Sequence, residues 1–202
     1  MRSRERNEFG MKQPQVRLTR AVVVVATLVA LVGCTTQTAV PVVGPKVSVD
    51  GAVAEFPPAD RGEPITLTGP TSDGSTFNPA AVSGRVVVLN LWYAGCAPCR
   101  AEAKSLQSLS TEFKADGVAF VGVDTYDTAA TANSFRTHYG VTFPSILDRD
   151  TGEVQLQLTG TYSAKATPAT IVLDKQGRPA ARILGPIDPS VLRTLIRDQL
   201  AQ

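Results

Sequence analysis

The chain has 202 residues, 43% of them hydrophobic, with 20 Lys+Arg against 18 Asp+Glu and a formal net charge of +2. Six of the basic and two of the acidic residues fall within 1–33, leaving 14 and 16, a net charge of −2 for the rest. That balance gives no electrostatic footprint for nucleic acid, and three cysteines do not supply the second pair that a structural zinc site needs.

Arg2, Arg4, Arg6, Lys12, Arg17 and Arg20 precede an apolar run from Ala21 to Val32. The run is shorter than the ~20 residues that a membrane-spanning helix requires. A basic segment followed by a short apolar core is a signal-peptide pattern, and Met11 to Cys34 already forms a complete one. Leu31-Val32-Gly33-Cys34 resembles the bacterial lipobox. That resemblance implies a signal peptide over 1–33, cleavage before Cys34 and diacylation of its sulfur. The expected location is the extracytoplasmic face of the cell membrane, with lipid on Cys34 as the membrane contact. Two acyl chains anchor stably where one is marginal. Residues 34–61 read as the lipid anchor and a tether punctuated by Pro41, Pro45, Pro57 and Pro58; its apolar content lets part of it pack on the domain. One domain is expected over 62–202, long enough for a single core.

Ile65-Thr66-Leu67 and Ser75-Thr76-Phe77 around Asp73-Gly74 predict a small hairpin. Val86 to Trp92 is a nearly continuous apolar strand, as in a sheet covered on both faces. A helix is predicted over 97–115, with Leu106, Leu109 and Phe113 at helical spacing and Gly117 as its stop. A strand over 118–123, a helix over 128–138 and an extended segment over 143–147 come next. They are followed by a short helix over 151–159, strands over 169–173 and 179–184, and a last helix opened by Pro189. This order predicts an α/β sandwich with a central mixed sheet flanked by helices.

Cys96-Ala97-Pro98-Cys99 stands where the strand gives way to the helix. Unpaired N–H groups and the dipole at a helix start favour a thiolate, lowering a cysteine pKa from about 8.5 to roughly 3.5–7.5. Pro98 suits an early helical position. A gap of two residues closes too small a loop to constrain the unfolded chain much, so the pair reads as a redox site.

Gly84 to Arg100, with Thr167-Pro168 and the closing hairpin and helix, resembles the thioredoxin superfamily, and within it the membrane-tethered TlpA/ResA type of thiol–disulfide oxidoreductase. The resemblance implies a thioredoxin-like fold with an N-terminal hairpin extension. It makes Cys96 the exposed nucleophile and Cys99 the buried resolving thiol. It makes Pro168 a cis-proline facing the pair and lets the Thr167 backbone pair with a bound substrate chain. It also assigns Glu102, one helical turn beyond Cys99, to tuning thiol protonation. Asn90 stands where cytosolic thioredoxin has a buried aspartate and cannot take a proton. Many relatives have Trp immediately before the first cysteine; here it is Gly95, so the aromatic platform for substrate is expected to be smaller or supplied by Trp92 and Tyr93.

The implied activity is thiol–disulfide exchange on protein substrates, as a reductant fed by a membrane thiol donor and serving cytochrome c maturation, with no metal or organic cofactor. Two other classes are weighed against it. A redoxin-type peroxidase has a Pro and Thr pattern ahead of its cysteine, which this chain lacks. A copper chaperone similar to the Sco type spaces its cysteines by three residues and adds a distant histidine. His138, the only histidine, reads as a solvated or capping residue near a helix end.

Overall fold

A computed structural model describes residues 46–47, 51–161 and 166–202. Cys34, the expected signal peptide and residues 35–45 of the tether lie outside the described residues. Strands β1 (Lys46–Val47), β2 (Val53–Glu55), β3 (Gly69–Pro70), β4 (Thr76–Phe77) and β5 (Val87–Trp92) precede helix α1 (Ala97–Glu112). Then come β6 (Ala119–Asp124), α2 (Ala129–Tyr139), β7 (Ser145–Leu147) and α3 (Glu153–Gln157). The chain closes with β8 (Ala169–Leu173), β9 (Pro179–Leu184) and α4 (Pro189–Leu200).

Seven strands form one mixed sheet in the order β1-β2-β9-β8-β5-β6-β7. β5, β6 and β7 run parallel; β8 is antiparallel to β5, and β9 and β2 continue antiparallel. All six residues of β5 are buried, which explains its unbroken apolar run. Alternation sends Val88 and Trp92 towards the layer of α1, α2 and α4, with Leu106, Phe135 and Leu192. It sends Val87, Leu89 and Leu91 to the other layer, where Val154, Leu158, Leu67 and Phe77 pack. Asn90 shares the face of Val88 and Trp92, so β5 presents one polar side chain to α1.

Several boundaries differ from the sequence expectation. The sheet recruits Val53–Glu55, ahead of residue 62, by pairing Val53 with Ile183 and Glu55 with Ala181. Otherwise β9 would present an open edge. Arg61 clamps this segment: its Nε–H donates to the Phe56 carbonyl and Nη1 lies 2.9 Å from Asp174 Oδ2, both side chains being almost fully buried. The hairpin turns at Asp73-Gly74, with Gly74 at φ +85°, but its first strand is Gly69–Pro70. Ile65 and Thr66 instead donate to the Gly177 carbonyl and to Gln157 Oε1. α1 stops at Glu112, its end capped through the Phe113 N–H, and α3 is held to Glu153–Gln157.

Candidate functional site

β5 delivers the chain to the head of α1 through Tyr93, Ala94 and Gly95. Cys96 is the N-cap of α1, and its Sγ accepts the Cys99 N–H at 3.1 Å. The Cys96 carbonyl accepts the first helical hydrogen bond, from Arg100 N–H. Pro98 falls in the first turn, where the N–H it lacks has no helical acceptor. Arg100 folds back so that Nη1 donates to both the Ala94 and the Gly95 carbonyls. Cys96 and Cys99 are joined in a disulfide, S–S 2.04 Å and Cα–Cα 5.2 Å.

The expected contrast between an exposed Cys96 and a buried Cys99 is not present in this oxidised form, where they are 3% and 2% exposed. The bond draws the sulfurs together, and Cys96 Sγ also turns inward to the Cys99 amide. Gly95, Ala97 and Pro98 form the exposed skin over the pair.

Beneath the pair lies a buried polar network. Glu102, 4% exposed, receives Asn90 Nδ2–H on Oε1 and the Ile187 N–H on Oε2, both at 2.8 Å. Asn90 Nδ2 also donates to Thr170 Oγ1 at 3.3 Å. Burial pushes the Glu102 carboxyl above its ordinary pKa, against the opposing pull of the Ile187 and Asn90 donors. An internal cavity of about 10 Å³, about the space of one water, has Asn90, Cys99 and Trp92 among its walls.

Sequence reasoning found Glu102 and Asn90 and missed Thr170 and Ile187. Thr170 had a signal: it is the one polar residue in the apolar strand β8, and the register sets it directly opposite Asn90. Ile187 contributes only its backbone, which no side-chain pattern reveals.

Ala169 pairs with Leu91, so Pro168 sits level with the end of β5. The Thr167–Pro168 bond is cis, and the Pro168 carbonyl accepts the Gly185 N–H. Thr167 is half-buried at the rim.

Trp92 is not a substrate platform. It is 3% exposed and packs on Phe135, ring centroids 4.2 Å apart, because the β5 alternation aims it into the core. Tyr93, half-buried, meets the exposed Tyr126 at 5.9 Å. Tyr126 was not identified from the sequence.

The loop carrying it is capped by Asp124, whose Oδ1 accepts the Tyr126 and Asp127 N–H groups while Oδ2 has no partner among the described residues. Burial holds the Asp124 pKa up at about 6. Asp127 in turn accepts the Ala94 N–H, lacing this loop to the one before Cys96. His138 is exposed near the C-terminus of α2, edge-on to Tyr139. No group of three or more His, Cys, Asp or Glu able to hold a metal occurs among the described residues.

The Redoxin family model matches residues 54–196. The thiol:disulfide interchange protein HelX of Rhodobacter capsulatus is 31% identical over 144 residues, 71% of this chain and 74% of that one. The thiol-disulfide oxidoreductase ResA of Bacillus cereus is 28% identical over 113 residues, 56% of this chain. The chain spans 62% of that ResA's length. A secreted thiol-disulfide isomerase from Corynebacterium glutamicum superimposes with a TM-score of 0.66 at 30% identity, over 79% of this chain and 100% of its own. A DsbF homologue from Corynebacterium diphtheriae gives 0.65 at 28%, over 76% and 97%.

Proposed function

The chain belongs to the redoxin family, and we propose that it is an extracytoplasmic thiol–disulfide oxidoreductase that reduces disulfides in protein substrates. The observation that carries this reading is the Cys96–Cys99 disulfide at the head of α1, in a chain similar to proteins named for thiol–disulfide interchange.

In the reduced form the amides of the first turn favour a Cys96 thiolate. That thiolate attacks one sulfur of the substrate disulfide, forming a mixed disulfide and expelling a substrate thiolate, which takes up a proton. Cys99 then loses its proton and attacks Cys96 Sγ. The second substrate thiol leaves and the Cys96–Cys99 bond forms. Two electrons pass from the protein pair to the substrate. Of the two protons the departing substrate thiolates take up, one balances the Cys99 proton and the other comes from solvent, to which Cys96 had already lost its own. In this reading Glu102, one helical turn beyond Cys99 on α1 and raised in pKa by burial, takes the Cys99 proton.

Regeneration needs two electrons from a membrane thiol donor. Lipid on Cys34 would hold the domain at the extracytoplasmic face, within reach of that donor. The resemblance read from the sequence favours haem-binding thiols of apocytochrome c as the substrate. Rapid alkylation of thiols in living cells tests the direction: a largely reduced Cys96–Cys99 pair is expected, and a largely oxidised pair would reverse it. Wild-type protein in the membrane fraction, with Cys34→Ala lost from it, tests the anchor; unmodified, soluble wild-type protein would overturn it.

A further inference from the structure

Two large hydrophobic side chains are strongly exposed among the described residues, Tyr126 at 72% and Leu156 at 73%. Leu156 belongs to α3, on the layer away from α1. Tyr126 lies beside the redox pair and is tied to it by a chain of contacts. Its ring meets Tyr93 at 5.9 Å. The Tyr93 ring in turn lies 3.2 Å from where a Cβ on Gly95 would stand. Any side chain at 95 would therefore press against Tyr93, and the glycine next to Cys96 leaves room for that ring.

The loop is fixed from below. Asp124 Oδ1 takes the Tyr126 and Asp127 N–H groups at 3.1 and 2.8 Å, and Asp127 holds the Ala94 N–H. A tyrosine on a braced loop offers a large contact area at low entropic cost. Of the charged groups nearby, Arg149 pairs with Asp150, while Arg100 and Asp127 hydrogen-bond to backbone groups of Ala94 and Gly95 and keep their charges.

We propose that Tyr126, with Tyr93, is the docking surface for the substrate polypeptide and selects an apolar or aromatic side chain next to the cysteine under attack. The inference rests on the oxidoreductase reading, because it needs a substrate sulfur at Cys96. Once that sulfur is bonded to Cys96, residues one or two positions along the substrate stand about 3.5–7 Å away along the chain. The Tyr93 ring abuts Gly95, the residue next to Cys96, and Tyr126 abuts that ring. The two rings discriminate by apolar contact.

The test uses the reduced protein and two peptide disulfides that differ only in having Phe or Ser beside the cysteine. The readout is the ratio of their second-order rate constants. The wild type is expected to favour the Phe peptide. Tyr126→Ala is expected to cut the ratio about tenfold, the size of one aromatic contact, while Tyr126→Phe keeps it. An unchanged ratio in Tyr126→Ala, or no preference in the wild type, overturns the docking surface and leaves the oxidoreductase reading standing. Failure of the wild type to lose Cys96 and Cys99 thiols to either peptide overturns both.

Discussion

Glu102→Gln separates the charge of the buried carboxylate from its shape. The two carboxylate oxygens each accept one hydrogen bond, from Asn90 Nδ2 and from the Ile187 N–H. Glutamine keeps one oxygen for Ile187 and turns an NH2 towards Asn90. The Asn90 amide then flips to present its own oxygen, and the Thr170 hydroxyl rotates to donate to the same atom. The network closes again, so stability changes by less than the ~1–3 kcal/mol of one unsatisfied buried group.

Only the charge is lost. Side chains one turn apart lie about 5–6 Å apart at Cβ. A unit charge at about 7 Å in an effective dielectric of about 20 contributes about 2 kcal/mol, or between one and two pH units. A negative charge disfavours a neighbouring thiolate, so its removal lowers the thiol pKa values, Cys99 more than Cys96. It also removes the proton acceptor, so turnover slows. The assay is the pH dependence of thiol alkylation in the reduced protein, run beside insulin reduction. Superimposable alkylation curves with equal turnover would refute the reasoning and leave Glu102 a packing residue. Glu102→Ala, by contrast, strands both donors and should unfold at markedly lower urea.

Asp124 offers a second pH test. Its folded pKa of about 6 lies above the ordinary 3.8, so below pH 4 both folded and unfolded states are protonated and folding carries no penalty. As pH rises from about 4 through 6 the unfolded chain ionises first, and stability falls by about 3 kcal/mol. Asp124→Asn should remove that fall and unfold at higher urea than wild type at pH 7 but not at pH 4; parallel urea curves at both pH values would contradict it. Trp92→Ala should cost about 3–5 kcal/mol as a core deletion in thermal or urea unfolding. A change in peptide selectivity with unaltered stability would instead return Trp92 to the substrate surface.

The central elements were legible because their chemistry is local. An apolar strand, a CxxC and a capped helix occupy consecutive residues, and β8 and β9 begin and end, and α4 begins, where Gly, Pro and Asp punctuate the chain. The start of the sheet was obscured because β2 has only three residues, and its membership depends on a partner edge far along the sequence. The hairpin was displaced because Ile65 and Thr66 find partners on Gly177 and Gln157, again distant. Glu102 could be placed by helical spacing, whereas the Ile187 amide that holds it has no signature at all. Trp92 was misjudged as a platform by its nearness to Cys96. Counting alternation back from Trp92 through Asn90 and Val88 puts it on the face of α1 and α2.

The claim that Cys96 attacks and Cys99 resolves is tested most directly by trapping. Reduced Cys99→Ala and Cys96→Ala proteins are each mixed with a disulfide-bonded polypeptide such as insulin, quenched with acid and analysed by non-reducing mass spectrometry. Cys99→Ala is expected to accumulate a mixed disulfide through Cys96, with no resolving thiol to release it, while Cys96→Ala accumulates little. Equal trapping by the two variants, or preferential trapping through Cys99, would contradict the assignment.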